Sequence, residues 1–329
     1  MMETMEENEL CFPQLLNSSC RKLKRTHTAA MFIYILLSSI SVLTVTLNLL
    51  VIISISHFKQ LHTPTNLLLL SLAVSDFSVG LLLSCESLLS DGCWDLGDHM
   101  CILLSTLNFI MTSSSVGAMV FISIDRYVAI CDPLHYSNKI TVKRITICIC
   151  LCWITSVLYN TLILKDNLNQ PGRHNSCIGE CLVVIYYIET IADLILTFIG
   201  PVTVIIVLYL RVFVVAVSQA RAMRSHIATV TLQHSETVFA KKSELKAART
   251  LGVVVVVFLI CICPYYCSLL TDHNTLFDTT VPIWAWLMFF NSCLNPLIYV
   301  FCYPWFVKSI KLIVTFKILE PDSCEASIL

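Results

Sequence analysis

Seven stretches of this chain are apolar over about 20 residues or more, the length that an α-helix needs to cross a bilayer. Lipid offers no hydrogen bonds to an exposed backbone, so only helices or a closed β-barrel can span it. Runs this long and this uniformly apolar predict helices, because barrel strands are shorter and alternate in polarity. The sequence therefore predicts an all-α membrane protein with a seven-transmembrane helix bundle, at about residues 30–55, 66–89, 100–130, 145–164, 185–213, 247–270 and 282–302.

The composition excludes several other classes of protein. Hydrophobic residues make up 57% of the 329 residues and charged residues 13%, about half the charged fraction of a soluble domain. A net charge of −1 offers no basic surface to nucleic acid. The sequence shows no metal-ligand spacing, nucleophile turn or glycine-rich phosphate loop, so we expect neither an enzyme nor a protein that holds a transition metal.

The positive charges predict the orientation of the bundle. Of the 21 Lys and Arg residues, six lie on the side of the N-terminus and 15 on the opposite side. Because cytoplasmic loops carry the excess, we expect an extracellular N-terminus (1–29), a membrane domain (30–302) and a cytoplasmic tail (303–329). A glycosylation sequon at Asn17 and six cysteines fall on the outer side or at its membrane edge, where disulfides form. These cysteines permit 15 complete pairings, and the residues alone leave the choice open: Cys11, Cys20, Cys93, Cys101, Cys177 and Cys181.

A group of polar residues lies at similar depth in several predicted helices, where an unpaired polar side chain costs free energy. Asp76 is in the second helix, Ser115 in the third, and Asn291 and Asn295 in the seventh. Such a cluster can hold a small cation such as sodium, or a proton on the carboxylate. The alternative is a set of hydrogen bonds between helices, worth about 0.6–2 kcal/mol per contact.

The third helix ends on Asp125-Arg126-Tyr127, in which an arginine beside an acid suits a switchable ion pair. Glu244 begins the sixth helix on the same membrane side and is a candidate second partner for Arg126.

The fifth helix carries two acids, Glu189 and Asp193, four residues apart on one face. Pro201 follows eight residues after Asp193, which places this carboxylate in the outer half of the membrane. A carboxylate there is a good partner for an ammonium group, because Coulomb attraction strengthens as the effective dielectric falls.

A series of motifs follows in order along the helices: Asn48, Leu72-Ala73-Val74-Ser75-Asp76, Asp125-Arg126-Tyr127, Trp153, Pro201, Tyr209, Phe258, Cys263-Pro264 and Asn295-Pro296-Leu297-Ile298-Tyr299. Over nearly the whole chain this series resembles the rhodopsin-like (class A) G-protein-coupled receptors. The resemblance implies a switch that opens a crevice for a G protein, built from Asp125, Arg126, Tyr127, Tyr209, Glu244, Asn295, Pro296 and Tyr299.

The segment 291–306 is similar to the seventh-helix signature of the trace amine-associated receptors, as are the loop 177–181 and the N-terminal segment 17–20. The resemblance implies an olfactory receptor of divergent fish type, which binds a protonated amine and activates a stimulatory G protein to raise cyclic AMP. It also implies a short amphipathic eighth helix with Lys308 and Lys311 on it. Two disulfides are implied, Cys101–Cys181 and Cys20–Cys177, and Cys11 and Cys93 remain unassigned.

The chain departs from the family at the amine site. The family's aspartate in the third helix is Asn108 here, which supplies no net charge. Asp193 matches an alternative acidic position, so we expect it to be the counter-ion, with the ligand reversed in the pocket. The family's tryptophan in the sixth helix is Ile262, and Leu47 replaces the glycine before Asn48, so the switching details differ.

The ligand site implied by the resemblance combines acids, amides and aromatic rings, which attract cations. Its members are Asp193, Asn108, Phe109, Thr112, Glu86, Glu189, Tyr265, Tyr266, Trp286 and Phe289. The aromatic residues could equally fill the bundle core, and Glu86 could simply meet water at a helix end. If Glu86 and Asp193 both line the cavity, the ligand is a diamine.

Two other functions are compatible with a seven-helix chain. A receptor of the same fold for a peptide or a non-basic odorant is favoured by Asn108 and Ile262. A transporter would need an internal repeat or a broken helix near the midplane, and the hydropathy pattern shows no repeat.

Overall fold

The computed structural model describes residues 10–22, 27–88, 93–227, 252–268 and 281–328. The long helices α1 (His27–His57), α2 (Pro64–Leu88), α3 (Gly97–Cys131) and α4 (Val142–Ile163) come first. Helix α5 comprises Tyr187–Asp193, a π-helical turn at Leu194–Ile199 and Gly200–Ile227. They are followed by α6 (Gly252–Ser268), α7 (Val281–Cys302) and α8 (Pro304–Val314). The predicted all-helical fold with a short eighth helix is confirmed.

Helices α1 to α5 each have the length and hydropathy to cross a bilayer, and α6 is apolar throughout its described residues. Helices α7 and α8 meet at an angle of 98°. The bend falls at Tyr303, which is extended, and Pro304 begins α8 at the position where a missing N–H costs nothing. Helix α8 therefore turns away from the bundle axis, as a helix lying on a membrane surface does.

Helices α2 and α3 form the centre of the bundle. In the most apolar 18-residue stretch of each helix, 61% is buried in α2 and 44% in α3, compared with 17% in α4 and in α5. Large apolar side chains such as Leu158 and Leu162 on α4 are 65% and 66% exposed. Apolar side chains are stable in contact with lipid, so those of the outer helices need not be buried against other helices.

Polar side chains join the helices where two of them meet. The indole Nε1 of Trp153 on α4 donates to Ser71 Oγ on α2 at 3.0 Å. Asn160 on α4 donates through Nδ2 to Ser113 Oγ on α3, also at 3.0 Å. These bonds fix the rotation of α4 against the core, where apolar packing alone offers no directional preference.

Helix α5 is widened at the turn Leu194–Ile199, where the backbone is π-helical. Pro201 lies just beyond this turn and has no N–H to donate to the turn before it. A π turn shifts the register of the side chains on either side of it, and such turns are frequent at functional sites. Asp193 is the last residue before this turn.

Three disulfides join the loops at one end of the bundle, which we call the disulfide end. They are Cys101–Cys181, Cys20–Cys177 and Cys11–Cys93. The first two are the pairs that the resemblance implied, and the third pairs the two cysteines that it left unassigned. Cys101 near the start of α3 is thereby tied to the segment that leads into α5, and the N-terminal segment 10–22 is tied to two loops.

We expect Cys11→Ser and Cys93→Ser to lower the thermal midpoint of the purified receptor by the same amount. The double variant should be no less stable than either single variant, because both changes remove one bond. The loss corresponds to about 2–5 kcal/mol in small extracellular domains. Thermal unfolding of the four proteins in detergent is the measurement, and additive losses would contradict the pairing.

Candidate functional site

Asp193 is a half-buried carboxylate near the disulfide end. Thr197, one turn further along α5, donates through Oγ1 to Asp193 Oδ1 at 2.8 Å. The hydroxyl of Tyr266 on α6 donates to Asp193 Oδ2 over a longer distance of 3.4 Å. Asp193 therefore connects α5 to α6, and two hydrogen bonds leave part of its acceptor capacity unused.

Aromatic rings surround this carboxylate. Tyr266 stacks on Phe198 of α5, with ring centroids 4.5 Å apart and planes within 7°. Tyr265 meets Tyr266 edge to face at 5.3 Å. Acid and rings together make a setting that suits an organic cation, since ring faces attract positive charge.

Other predicted ligand residues lie on three further helices, α2, α3 and α7. Trp286 and Phe289 form an edge-to-face pair on α7, with centroids 6.3 Å apart. Phe109 and Asn108 lie on α3, and Oδ1 of Asn108 is shielded from solvent without a hydrogen-bond partner among the residues that the structure describes. Glu86 lies on α2, and its side chain is outside the described residues.

Glu189 has a structural role in this arrangement. Its Oε2 accepts a hydrogen bond from the backbone N–H of Tyr186 at 3.1 Å. An acid in the first turn of a helix stabilises the free N–H groups there. The carboxylate of Glu189 therefore caps α5, while that of Asp193, one turn further, bonds to Thr197 and Tyr266.

Below the aromatic rings lies a small cavity. Its volume is about 20 Å³, enough for about one water molecule. It is bounded by residues of α2, α3, α6 and α7, among them Thr112, Ser115, Ile262, Phe289 and Asn291. Ile262, where the family has tryptophan, is buried here and forms one wall. The cavity adjoins a second polar cluster around Asp76, since Ser292 both lines the cavity and bonds to Asp76.

Asp76 on α2 is fully buried and ties α2 to α7. Ser292 Oγ donates to Asp76 Oδ1 and Asn295 Nδ2 to Asp76 Oδ2, both at 2.8 Å. Ser115 on α3 donates to Ser75 Oγ at 2.8 Å, next to Asp76. The structure thus brings together the acid and the polar residues of α3 and α7 that the sequence placed at one depth.

Two amide oxygens in this cluster have no donor among the described residues. Oδ1 of Asn291 and Oδ1 of Asn295 are buried and accept no hydrogen bond within the part of the chain that the structure describes, and Asn291 is only 6% exposed. A buried acceptor without a partner costs roughly 1–3 kcal/mol. Buried oxygen atoms around a carboxylate are the ligand type that hard cations prefer.

At the end of the bundle opposite the disulfides, Arg126 of α3 is 8% exposed and bonds to the neighbouring Asp125. Its Nη2 also donates to Thr65 Oγ1 on α2 at 2.6 Å. Thr65 Oγ1 in turn donates to Asp125 Oδ2 at 2.9 Å. The Arg126–Asp125 pair is therefore held to α2 by one hydroxyl.

A tyrosine from the segment after α3 completes this network. The hydroxyl of Tyr136 donates to Asp125 Oδ1 at 2.8 Å. Burial, and then the negative charge of Asp125, raise the pKa of Tyr136 above its usual range. The hydroxyl therefore keeps its proton and remains a donor. The expected second partner of Arg126, Glu244, lies outside the described residues.

Two tyrosines of the predicted switch have unused hydroxyls. The hydroxyls of Tyr209 on α5 and Tyr299 on α7 are buried, and neither has a hydrogen-bond partner in the described segments. Tyr299 is 1% exposed and follows Pro296, which lies inside α7. A rearrangement that pairs these hydroxyls would recover the cost of leaving them unsatisfied.

Several residues of these clusters were not predicted from the sequence. Thr197 could have been found, since it lies four residues after Asp193 on the same helix face. Thr65 and Tyr136 carry no such signal, because they reach Asp125 from α2 and from a short helix, Tyr136–Lys139. Ser292 precedes Asn295 by three residues and could have been added to the cation cluster by the same spacing.

The comparison with protein families agrees with this arrangement. Residues 47–299 match the model of the 7 transmembrane receptor (rhodopsin family). The chain belongs to this family, and it is therefore a class A G-protein-coupled receptor that acts with a G protein and a ligand.

Similar proteins identify the group within this family to which the chain belongs. The chain is 36% identical to trace amine-associated receptor 13c of Danio rerio, over 98% of this chain and 97% of the relative. It is 37% identical to trace amine-associated receptor 8a of Rattus norvegicus, over 97% and 96%. With trace amine-associated receptor 6 of Homo sapiens the identity is 38%, over 96% and 94%. Within the rhodopsin family, this receptor is one of the trace amine-associated group.

The Arg126 network generates a prediction for the receptor without ligand. Thr65→Val keeps the size of the side chain and removes the hydroxyl that holds Arg126 to α2. We expect activity without agonist to rise roughly three- to tenfold, as loss of about 0.6–1.4 kcal/mol of interhelical bonding allows. The measurement is nucleotide exchange on a co-expressed G protein, normalised to surface receptor.

The matched control is Thr146→Val. Thr146 is exposed on α4 and bonds only to its own helix, to Val142 O at 2.9 Å. Its basal activity should equal that of the wild type. If the Thr65 variant has the same basal activity as the wild type, the hydroxyl of Thr65 does not restrain the switch.

Proposed function

We propose that this receptor lies in the plasma membrane with its N-terminus outside and detects amines in olfaction. In this proposal a protonated amine binds Asp193, and a stimulatory G protein raises cyclic AMP. The observation that carries it is the carboxylate of Asp193 among tyrosine rings near the disulfide end. The names of the relatives, which are trace amine-associated receptors, support the same ligand class.

The long bond from Tyr266 to Asp193 suits exchange with a ligand. A hydroxyl at 3.4 Å is a weak donor, and a primary ammonium offers three stronger ones. The ammonium would replace or share the Oδ2 position while Thr197 keeps Oδ1 in place. Charge-assisted hydrogen bonds are about twice as strong as neutral ones, so the exchange favours the bound amine.

Binding at this position acts on the contact between α5 and α6. The ligand would bridge Asp193 and the aromatic floor of α6 and α7, and it would bind the contracted arrangement more tightly than the open one. The equilibrium moves by the difference between these two affinities. The far end of α6 would then move away from Arg126, which opens a crevice for the G protein.

The neutral Asn108 sets the direction of the ligand. Because Asp193 on α5 is the proposed charged partner, the ammonium points toward α5 and the rest of the molecule toward α3 and α7. Phe109, Trp286 and Phe289 offer apolar surface there. A ligand with one ammonium and an apolar end fits this arrangement of charge.

We expect Asp193→Asn to lower amine potency by roughly 30-fold or more, as loss of one partner of a desolvated charge pair does. The change keeps the shape of the side chain and removes its charge. The measurement is cyclic AMP in cells that express equal amounts of receptor at the surface, over a panel of amines. Asp166→Asn is the matched control, because Asp166 is exposed in the short helix Lys165–Asn169. Unchanged potency in the Asp193 variant would disprove the role of this carboxylate.

We also propose that the cluster around Asp76 binds a sodium ion. Asp76 retains unused acceptor capacity, and the unpaired Oδ1 atoms of Asn291 and Asn295 add neutral oxygen ligands. An ion bound there would hold α2, α3 and α7 together and favour the inactive state. The residues of the small cavity beside Ser115 and Asn291 would rearrange around it.

Sodium dependence tests this site. When sodium replaces potassium at constant ionic strength in membranes, agonist affinity should fall in the wild type. In Asp76→Asn the affinity should be the same in both salts, because the charge that holds the ion is gone. Retained sodium sensitivity in this variant would place the effect elsewhere.

A second ligand class is favoured by one observation. Asn108, where the family has its amine-binding aspartate, is neutral, and this suits a non-basic odorant or a peptide. The same cyclic AMP panel, extended to neutral odorants and peptides, separates the two. Responses to neutral compounds that survive Asp193→Asn would favour this alternative.

A further inference from the structure

The chain turns back on itself after α8. Phe316 and Asp322 have left-handed backbone conformations, with φ of 57° and 63°. Residues other than glycine rarely adopt this conformation, and aspartate tolerates it better than phenylalanine does. Two such turns bring residues 323–328 to the connection between α1 and α2, which we call the α1–α2 turn (residues 57–61).

Four polar contacts join the two segments. Lys59 Nζ donates to Glu325 Oε1 at 3.0 Å. His57 Nε2 and Ser323 Oγ lie 3.0 Å apart. The side-chain amide of Gln60 meets two backbone groups, donating to Glu325 O at 3.3 Å and accepting from the N–H of Ile328 at 3.4 Å. The 323–328 segment therefore bonds to the α1–α2 turn through both side chains and backbone.

An apolar anchor accompanies these bonds. Ile328 is 1% exposed and belongs to the main apolar cluster, together with Phe58 and Leu61 of the α1–α2 turn. Lys59 and Glu325 are in contrast largely exposed, and exposed ion pairs contribute little stability. Burial of Ile328 is consequently the main source of affinity, and the polar contacts set the register.

The α1–α2 turn leads directly to the Arg126 network. Leu61 O accepts a hydrogen bond from Asn66 Nδ2 at 3.0 Å, which ties the turn to the first residues of α2. Thr65 precedes Asn66 and bonds to both Asp125 and Arg126. Any contact that orders the turn therefore also orders the position from which Thr65 holds Arg126.

We propose that the 323–328 segment is an intramolecular ligand of the α1–α2 turn and that its docking restrains the receptor in the inactive state. Docked, it braces the turn and keeps Thr65 against Arg126. Released, it leaves the start of α2 freer to move. The restraint on signalling rests on the proposed coupling to a G protein, whereas the docking itself does not.

Hydrogen–deuterium exchange on the full-length receptor in lipid nanodiscs tests the docking. Ile328→Asp places a charge in the buried anchor position. We expect amide exchange in peptides covering residues 57–66 and 317–328 to accelerate together, on the order of tenfold. Leu319→Asp is the matched control, because Leu319 is 78% exposed in the same tail. Exchange at residues 57–66 that is the same in Ile328→Asp as in the wild type would overturn the proposal.

Charge reversal tests the register. Lys59→Glu and Glu325→Lys should each speed exchange at residues 57–66 about two- to threefold, and the double variant should restore it, since the reversed pair can form again. Glu320→Lys makes the same change at an exposed tail position and should leave exchange unaltered. Failure of the double variant to restore protection would overturn this arrangement of the segment.

Basal cyclic AMP at equal surface expression tests the restraint. Ile328→Asp should raise it about two- to threefold, less than the rise expected for Thr65→Val because Thr65 itself remains. Faster exchange with unchanged basal signalling, in cells where an amine still activates the receptor, would disprove the restraint. If the wild type responds to no amine while exchange is still faster in Ile328→Asp, the result would instead count against the proposed function.

Discussion

The absence of hydrogen-bonding partners in lipid is the constraint on which this structure depends. A polar side chain within the bundle is stabilised by a hydrogen-bond partner on its own or another helix, so polar residues gather at helix contacts. Asp76 shows this most clearly. It is fully buried on the central helix α2, and its two carboxylate oxygens are bonded to Ser292 and Asn295 of α7. Removing one partner would leave a charge or a donor without compensation, which makes the contact between α2 and α7 specific.

The polar clusters lie at different heights, and each joins a different pair of helices. Asp193 and Tyr266 join α5 to α6, Asp76 and Asn295 join α2 to α7, and Arg126 joins α3 to α2. A cavity of about 20 Å³ lies beside Ile262, between residues of α2, α3, α6 and α7. A tryptophan ring could not fit there without displacing its neighbours, since packed interiors tolerate little added volume. In the proposed function, coupling between the ligand end and the G-protein end would therefore depend on helix movement around these small side chains.

Much of this architecture could be predicted from the sequence because lipid imposes a simple rule on composition. Long apolar runs located the helices that cross the membrane, and the family resemblance implied the short helix α8. Side chains at one depth in different helices, such as Asp76 and Asn295, could be expected to meet. The position of a residue along each helix gives its depth in the same bilayer. The contacts of Thr65 and Tyr136 with Asp125 could not be predicted in this way. They join residues 60 and 11 positions away from Asp125 at the bundle end, where loops and not membrane depth decide which groups meet.

By itself the sequence determined that the chain crosses the membrane as helices and which residues are polar at each depth, and it predicted that an acid on α5 takes the place of the one missing from α3. Only the tertiary structure decided where those acids are directed. Glu189 and Asp193 have the same charge and lie one turn apart, yet one caps its own helix while the other bonds to Tyr266 of α6. It likewise paired Cys11 with Cys93 and brought residues 323–328 to the α1–α2 turn. The physical reason is that hydrogen bonds and burial depend on what other segments bring into reach, and hydropathy and spacing along one helix do not contain that information.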